Sequence, residues 1–151
     1  MILNEIELFE QIDYEVMNEI AGICSEVNYS KDTTIFERDE QARCLYILLE
    51  GTVHLVIKSG GSITYSLTES GDVFGWSSML EHGNYTATGI CATDLKAVKI
   101  ERDKLIKIFN NHPDVGFKVL QRLAGVISRR LLNAYRDLLS AQRTDTTPSY
   151  G

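Results

Sequence analysis

The segment 71–88, GDVFGWSSMLEHGNYTAT, constrains the fold most, because it joins two extended runs through glycine turns and one short helical piece. Gly71-Asp72 is typical of a turn, and Gly75 comes directly before a helical piece predicted over 76–80. A glycine followed at once by a helix start leaves backbone N–H groups unpaired, so this turn can hold an anion. The alternative is a plain β–turn–α–β connection without a ligand, because glycine turns outnumber phosphate sites. Hydroxyl groups follow the turn at Ser77, Ser78, Thr86 and Thr88.

Composition and charge indicate one acidic globular domain. The 151 residues are 44% hydrophobic and 24% charged, which suits a single domain with a sizeable core. The net charge of −6 argues against nucleic-acid binding by this chain, because phosphate contacts need clustered Lys and Arg. We therefore expect no direct contact with nucleic acid.

The cysteines and the N-terminus predict a cytoplasmic location. No apolar run approaches membrane-spanning length, and the acidic N-terminus lacks the basic start of a signal peptide. The three cysteines are far apart and fit no Cys-x-x-Cys pattern, which suits a reducing compartment: Cys24, Cys44 and Cys91.

The sequence offers no catalytic or metal-binding constellation. The three histidines are isolated from one another, with no His-x-His pair: His54, His82 and His112. Ser77-Ser78 could be a nucleophile pair, but the sequence places no base beside it. We predict neither an enzyme nor a metal site.

Hydrophobic periodicity divides the single domain 1–151 into four parts. The N-terminal part, 1–26, contains a predicted helix over 14–25 with Asp13 as its N-cap. Short alternating runs with turn signals, including a hairpin turn at 59–62, predict a β-barrel or sandwich over 27–101. Helices are predicted over 102–142, followed by a frayed tail, 143–151.

A long helix is predicted from Pro113 to about Gln142. Its length of about 40 Å, at 1.5 Å per residue, exceeds what a small barrel can cover. Apolar residues recur along it at intervals of three and four with charged flanks, which favours a homodimer seam over a helix folded back on its own domain. The candidate interface residues are Leu120, Leu123, Ile127, Leu131, Ala134 and Leu138.

The order of these elements and several motifs resemble the cyclic-nucleotide-binding domain family, most closely the sensor half of catabolite-activator and nitrogen-regulator type bacterial transcription regulators. The matching motifs are Thr34-Ile35-Phe36, the run LYILLEGTV at 45–53, GDVFG at 71–75 and Asn111-His112-Pro113. The resemblance implies a double-stranded β-helix, or jelly-roll, barrel with an N-terminal helix and a long C-terminal helix. It also implies that Asp32 and Asp39 occupy positions where the family has turn glycines; aspartate tolerates the left-handed conformation, so these turns are expected to persist.

The resemblance places a ligand pocket at the central segment, with two polar positions altered. Members that bind cyclic nucleotides have Glu after Phe-Gly, for the ribose, and an Arg across the loop, for the phosphate. Here Trp76 replaces the Glu, and Tyr85 or Thr86 stands at the Arg position. Cyclic AMP and cyclic GMP are therefore possible but disfavoured ligands, because a charge-assisted bond to phosphate contributes about 1.5–3 kcal/mol. The candidate pocket residues are Phe74, Gly75, Trp76, Ser77, Ser78, Tyr85, Thr86 and Ala87.

Two functional hypotheses follow. The first is a dimeric small-molecule-sensing regulatory module with a non-standard, unidentified ligand. The second is a protein-interaction or dimerisation module whose pocket is filled by its own side chains, with Trp76 and Tyr85 as the filling residues. Regulators that resemble this chain carry a DNA-binding helix-turn-helix after the long helix, and the sequence leaves open whether an output domain belongs to this protein.

Overall fold

The computed structural model describes residues 3–146. Short 3-10 helices, Leu3–Glu5 and Glu7–Phe9, precede α1 (Tyr14–Ile23), and two further helices, α2 (Arg102–Asn111) and α3 (Pro113–Thr146), follow the last strand. The strands between them are, in chain order, β1 (Cys24–Tyr29), β2 (Thr34–Phe36), β3 (Cys44–Glu50), β4 (Val53–Lys58), β5 (Ser62–Leu67), β6 (Val73–Phe74), β7 (Thr88–Cys91) and β8 (Leu95–Glu101).

The eight strands form two four-stranded antiparallel sheets, which confirms the predicted jelly-roll barrel. One sheet has the order β1-β8-β3-β6 and the other β2-β7-β4-β5. The predicted hairpin turn joins β4 to β5, with Lys58 opposite Ser62 and the Ser59 N–H donating to the Gly61 carbonyl at 2.9 Å. Asp32 and Asp39 have φ of 70° and 72°. Both aspartates therefore hold the left-handed turns as expected.

Strand β3 lies between two cores, which explains its nearly continuous apolar run. Leu45 and Ile47 face the helices, where they pack with residues of α1, α2 and α3. Cys44, Tyr46 and Leu48 face the opposite way, into the barrel. Because successive side chains of a strand point to opposite faces, a strand covered on both sides needs apolar residues at every position.

The N-terminal helix is shorter than the sequence predicts. The helix ends at Ile23 rather than residue 25, and the barrel begins at Cys24 rather than 27. Cys24 and Ser25 pair with Ile100 and Lys99 of β8. Ladder hydrogen bonds to a central strand replace another helical turn here, a tertiary effect that helical periodicity does not reveal. Asp13 stands at the N-cap position, but its side chain makes no capping hydrogen bond.

The C-terminal helix is longer than predicted. α2 starts at Arg102, and α3 continues to Thr146, so residues 143–146 belong to the helix and not to a tail. The rest of the predicted tail, 147–151, lies outside the described residues.

Candidate functional site

The central segment forms a tight turn at the mouth of the barrel. Phe74 ends β6, opposite Tyr46 of β3. Gly75 then adopts a left-handed conformation (φ 74°, ψ 26°) and serves as N-cap of a 3-10 helix, Trp76–Met79. A Cβ atom at Gly75 would lie 3.1 Å from the Cys44 carbonyl oxygen and 3.2 Å from the Tyr46 ring, so the turn also needs glycine for space. The predicted glycine turn and helix start are present, as 3-10 rather than α geometry.

Ser77 and Ser78 form hydrogen bonds within this turn. The Ser78 N–H and the Ser78 hydroxyl both donate to the Gly75 carbonyl, at 3.1 and 2.8 Å. Ser77 and Ser78 are 3% and 0% exposed, and the Ser77 carbonyl accepts from the Leu80 N–H at 3.1 Å. The Ser78 hydroxyl proton is therefore used inside the turn and is not available to a ligand in this conformation.

Four aromatic rings fill the barrel behind this turn. Phe36 stacks on Tyr85 with ring centroids 3.9 Å apart, and Tyr46 stacks on Phe74 at 5.2 Å. Phe36 also lies 5.9 Å from Tyr46 and 6.3 Å from Phe74, so the rings form one contiguous aromatic cluster. Stacked aromatic pairs add about 0.5–1.5 kcal/mol beyond the area they bury.

The phenol of Tyr85 is fixed by the backbone of β3. Its hydroxyl donates to the Cys44 carbonyl at 2.8 Å and accepts from the Cys44 N–H at 3.2 Å, 41 residues away along the chain. Burial raises the pKa of Tyr85 to about 12. The unfolded phenol ionises near pH 10, so the stability that this neutral group contributes is fully present below about pH 10 and is lost as the pH rises towards 12.

The space left at the predicted pocket is small. A cavity of about 30 Å³ is lined by six of the candidate residues together with Phe36 and Leu55: Gly75, Trp76, Ser77, Tyr85, Thr86 and Ala87. This volume is about the share of one water molecule in the liquid. Sites for small molecules occupy roughly 300–1,000 Å³. The cavity at the predicted pocket is therefore much smaller than a typical small-molecule site.

Arg130 of α3 contacts Trp76, one of the residues that line this cavity. Its guanidinium carbon lies 4.5 Å from the centre of the Trp76 ring, a cation–π contact between the long helix and the central turn. Burial lowers the pKa of Arg130, and the Asp72 carboxylate opposes that shift. Sequence reasoning did not find Arg130, Phe36, Tyr46 or Leu55 for this site. Phe36 and Tyr46 stand in two motifs that the sequence does display, whereas nothing in the spacing marks Arg130.

The candidate seam of α3 divides between two faces. Leu120, Leu131 and Leu138 are exposed, and Ile127 and Ala134 are half-buried. Leu123 is only 4% exposed and packs in the core of its own domain, so the expectation that it faces a second copy is wrong. The reason is that α3 carries a second apolar stripe, which continues from Val119 to Leu123 and packs beneath the barrel.

Comparison with known proteins identifies the family. The model of the cyclic nucleotide-binding domain matches residues 26–112, which is more than half of the chain.

This chain belongs to the cyclic nucleotide-binding domain family.

Relatives in this family include the CRP-like cAMP-activated global transcriptional regulator of Mycobacterium tuberculosis, 26% identical over 140 residues. The match covers 91% of this chain and 62% of that protein, so this chain spans less than two thirds of the relative's length. The Thermus thermophilus catabolite activator protein is 25% identical with a TM-score of 0.70, and the match covers 89% of this chain and 63% of that one. A cyclic nucleotide-binding domain from Methylobacillus flagellatus KT shares the fold, with 23% identity, a TM-score of 0.78 and coverage of 93% and 80%.

These comparisons confirm the predicted family and fold, and cyclic nucleotide-binding domains are typical of regulatory sensor modules. No helix within residues 3–146 is long and apolar enough to cross a membrane. In the same part of the chain, no three metal-binding side chains cluster as a metal site would require.

Replacing Tyr85 by Phe tests the two hydrogen bonds between the Tyr85 hydroxyl and the Cys44 backbone of β3. We expect a loss of about 1–3 kcal/mol in the free energy of unfolding, because a buried N–H and a buried carbonyl of Cys44 both lose their partner. Urea denaturation followed by circular dichroism measures the change. Tyr14→Phe is the matched control, since Tyr14 is 79% exposed and its substitution should leave the midpoint unchanged. Equal midpoints for the two variants would show that the Tyr85 hydroxyl does not stabilise the barrel.

Proposed function

We propose that this chain is a dimeric regulatory module of the cyclic nucleotide-binding domain family whose barrel pocket is filled by its own aromatic side chains. The observation that carries the proposal is the stack of Phe36 on Tyr85 at 3.9 Å, which leaves a cavity of about 30 Å³. The output of such a module is a change in what α3 binds rather than the capture of a cyclic nucleotide. The proposal contains no catalytic step.

The charges of the site support the same function. A cyclic nucleotide brings a phosphate that needs a cationic partner. The family resemblance implies Arg at the position of Tyr85 or Thr86; the Tyr85 hydroxyl is bonded to Cys44, and Thr86 is exposed. The missing charge-assisted bond costs about 1.5–3 kcal/mol. Separating the stacked rings costs further energy, so affinity should fall by two or more decades, at about 1.4 kcal/mol each.

A sensor for a non-standard small molecule in the barrel is the second candidate. The observation that favours it is the retained turn: Gly75 keeps the left-handed conformation, and Trp76 and Ala87 are only half-buried at the cavity mouth. Such a ligand would have to move Phe36 or Tyr85. Separating the stacked rings of Phe36 and Tyr85, and breaking the hydrogen bond from Tyr85 to Cys44, costs free energy. This cost favours the module with a filled pocket.

The regulatory output is proposed by analogy with the relatives. The Mycobacterium tuberculosis protein is named a transcriptional regulator, and this chain matches 62% of it. We assign this module to transcription regulation or another signalling output that it controls through α3. Cys24, Cys44 and Cys91 are unpaired, which supports a cytoplasmic setting for the module.

The exposed face of α3 supports a parallel homodimer. Leu120, Leu131 and Leu138 lie on one stripe that nothing in the described chain covers, at 41%, 50% and 57% exposure. The exposed Phe117 and Tyr135 extend the stripe at coiled-coil spacing. A stable monomer rarely leaves such a row of large apolar side chains in water. The parallel orientation rests on the family resemblance.

Isothermal titration with cyclic AMP and cyclic GMP tests the filled pocket. We expect the parent protein to bind neither more tightly than about 100 μM, because the phosphate lacks a partner. The double variant Trp76→Glu with Tyr85→Arg should gain affinity, since it removes one ring of the stack and restores both polar groups. Trp76→Glu alone is the control and should not gain affinity for either nucleotide. A sub-micromolar constant for either nucleotide with the parent would refute the proposed function.

Replacing Leu131 and Leu138 by Asp tests the homodimer. Charges in an apolar contact between two helices cost several kcal/mol, so light scattering should show a folded monomer where the parent is a dimer. Ile127 is left intact because it packs against its own core. The control Lys118→Asp with Arg136→Asp changes two exposed positions of the same helix away from the stripe and should remain dimeric. A parent that is monomeric at tens of micromolar would contradict the dimer.

A further inference from the structure

A second, larger cavity lies outside the barrel, between α3 and the segment that joins β5 to β6. Its volume is about 350 Å³, about ten times that of the family pocket and within the usual range for small-molecule sites. The side chains that matter for its chemistry are Tyr65, Thr68, Asp72, Arg129, Arg130 and Asn133. This cavity shares no lining residue with the filled family pocket.

Arg130 is the incompletely satisfied group at this cavity. Its guanidinium is largely buried and rests against Trp76, and its Nη1 atom has no hydrogen-bond partner among residues 3–146. This atom is closed off from the cavity, so a ligand reaches it only when the guanidinium turns towards the cavity. A buried charged donor without an acceptor is costly, so native structures supply one from protein, water or ligand. Asp72 is the carboxylate that acts most strongly on Arg130, yet no ion pair joins the two in the described chain.

The other charges of the cavity define what can enter. Arg129 and Glu7 neutralise each other through contacts of 3.2 Å. Asp72 uses Oδ2 to accept the Glu69 N–H at 3.1 Å, which leaves its second oxygen and the exposed Glu69 carboxylate. Among the described residues, Arg130 therefore remains as the one unneutralised cation of the cavity, and Asp72 and Glu69 remain as its two anions. A simple anion would meet the two carboxylates, and a simple cation would meet Arg130.

We propose that this cavity binds a small zwitterion of the amino-acid type. Its carboxylate pairs with the guanidinium of Arg130, and its ammonium pairs with Asp72 and Glu69. Bidentate pairing of a guanidinium with a carboxylate is the strong form of such contacts. Tyr65, Thr68 and Asn133 supply neutral donors and acceptors for the remainder of the molecule. The inference goes beyond the proposed function, which concerns the filled family pocket and the dimer.

Binding at Arg130 links the ligand to the rest of the domain. The guanidinium that would hold the carboxylate is the same group that joins α3 to Trp76 in the central turn. A carboxylate that draws the guanidinium into the cavity weakens that contact and changes how α3 is held. The ligand thereby obtains different affinities for two positions of the helix, which is what a regulatory effect requires.

The chain carries its own reporter for this event, because Trp76 is its only tryptophan. The experiment titrates the full chain with each of the common L-amino acids and follows Trp76 fluorescence, with thermal stability as a second readout. At least one amino acid should give a saturable change and raise the melting temperature. Its amide, which lacks the carboxylate, and its N-acetyl form, which lacks the ammonium, should each bind about tenfold more weakly or worse.

Two variants separate the site from general effects. Arg130→Gln should abolish the stabilisation by the amino acid, because the guanidinium is lost. Arg136→Gln is the matched control on the same helix, because Arg136 is exposed and does not line the cavity, and it should keep affinity within about threefold of the parent. The absence of any response from all the amino acids, or equal binding of the N-acetyl form, would overturn the zwitterion site. Those results would leave the filled family pocket untouched, whereas tight binding of cyclic AMP would refute the filled pocket alone.

Discussion

The stack of Phe36 on Tyr85 is the contact on which the rest of the site depends. It brings β2 against the loop that precedes β7, and the Tyr85 hydroxyl then fixes that loop to Cys44 of β3. Gly75 lies against the Cys44 carbonyl and the Tyr46 ring of the same strand, where a Cβ atom would be crowded, and it adopts a left-handed conformation. The 3-10 helix that follows Gly75 places Trp76 against Arg130 of α3. Contacts with β3 thus hold both the loop that carries Tyr85 and the turn whose Trp76 meets the long helix.

α3 has two apolar faces. One face, with Val119 and Leu123, packs beneath the barrel as part of the core. The other, with Leu131 and Leu138, is exposed. Polar contacts keep the N-terminal segment on the same helix: Arg122 donates to the carbonyls of Leu8 and Glu10, at 3.3 and 2.5 Å. α3 therefore contacts both the N-terminal segment and, through Arg130, the central turn.

Sequence patterns predicted the fold well and the site only in part. The run at 45–53, the Gly-Asp turn and the left-handed aspartates have local causes, so the barrel and its order could be read from the chain. The position of Phe36 over Tyr85 could not be predicted from the sequence, because it depends on contacts between distant parts of the chain rather than on residue spacing. The boundary at Cys24 was missed for the same reason, since pairing with Ile100 of β8 decides it. Leu123 recurs at the same interval as its neighbours on α3, so periodicity alone could not assign it to the inner stripe.

The most direct test of the filled pocket is a crystal structure of this protein grown with millimolar cyclic AMP. The account predicts that the rings of Phe36 and Tyr85 remain stacked near 3.9 Å, with no density for a nucleotide between Trp76, Thr86 and α3. A nucleotide bound inside the barrel, with either ring turned aside, would contradict it.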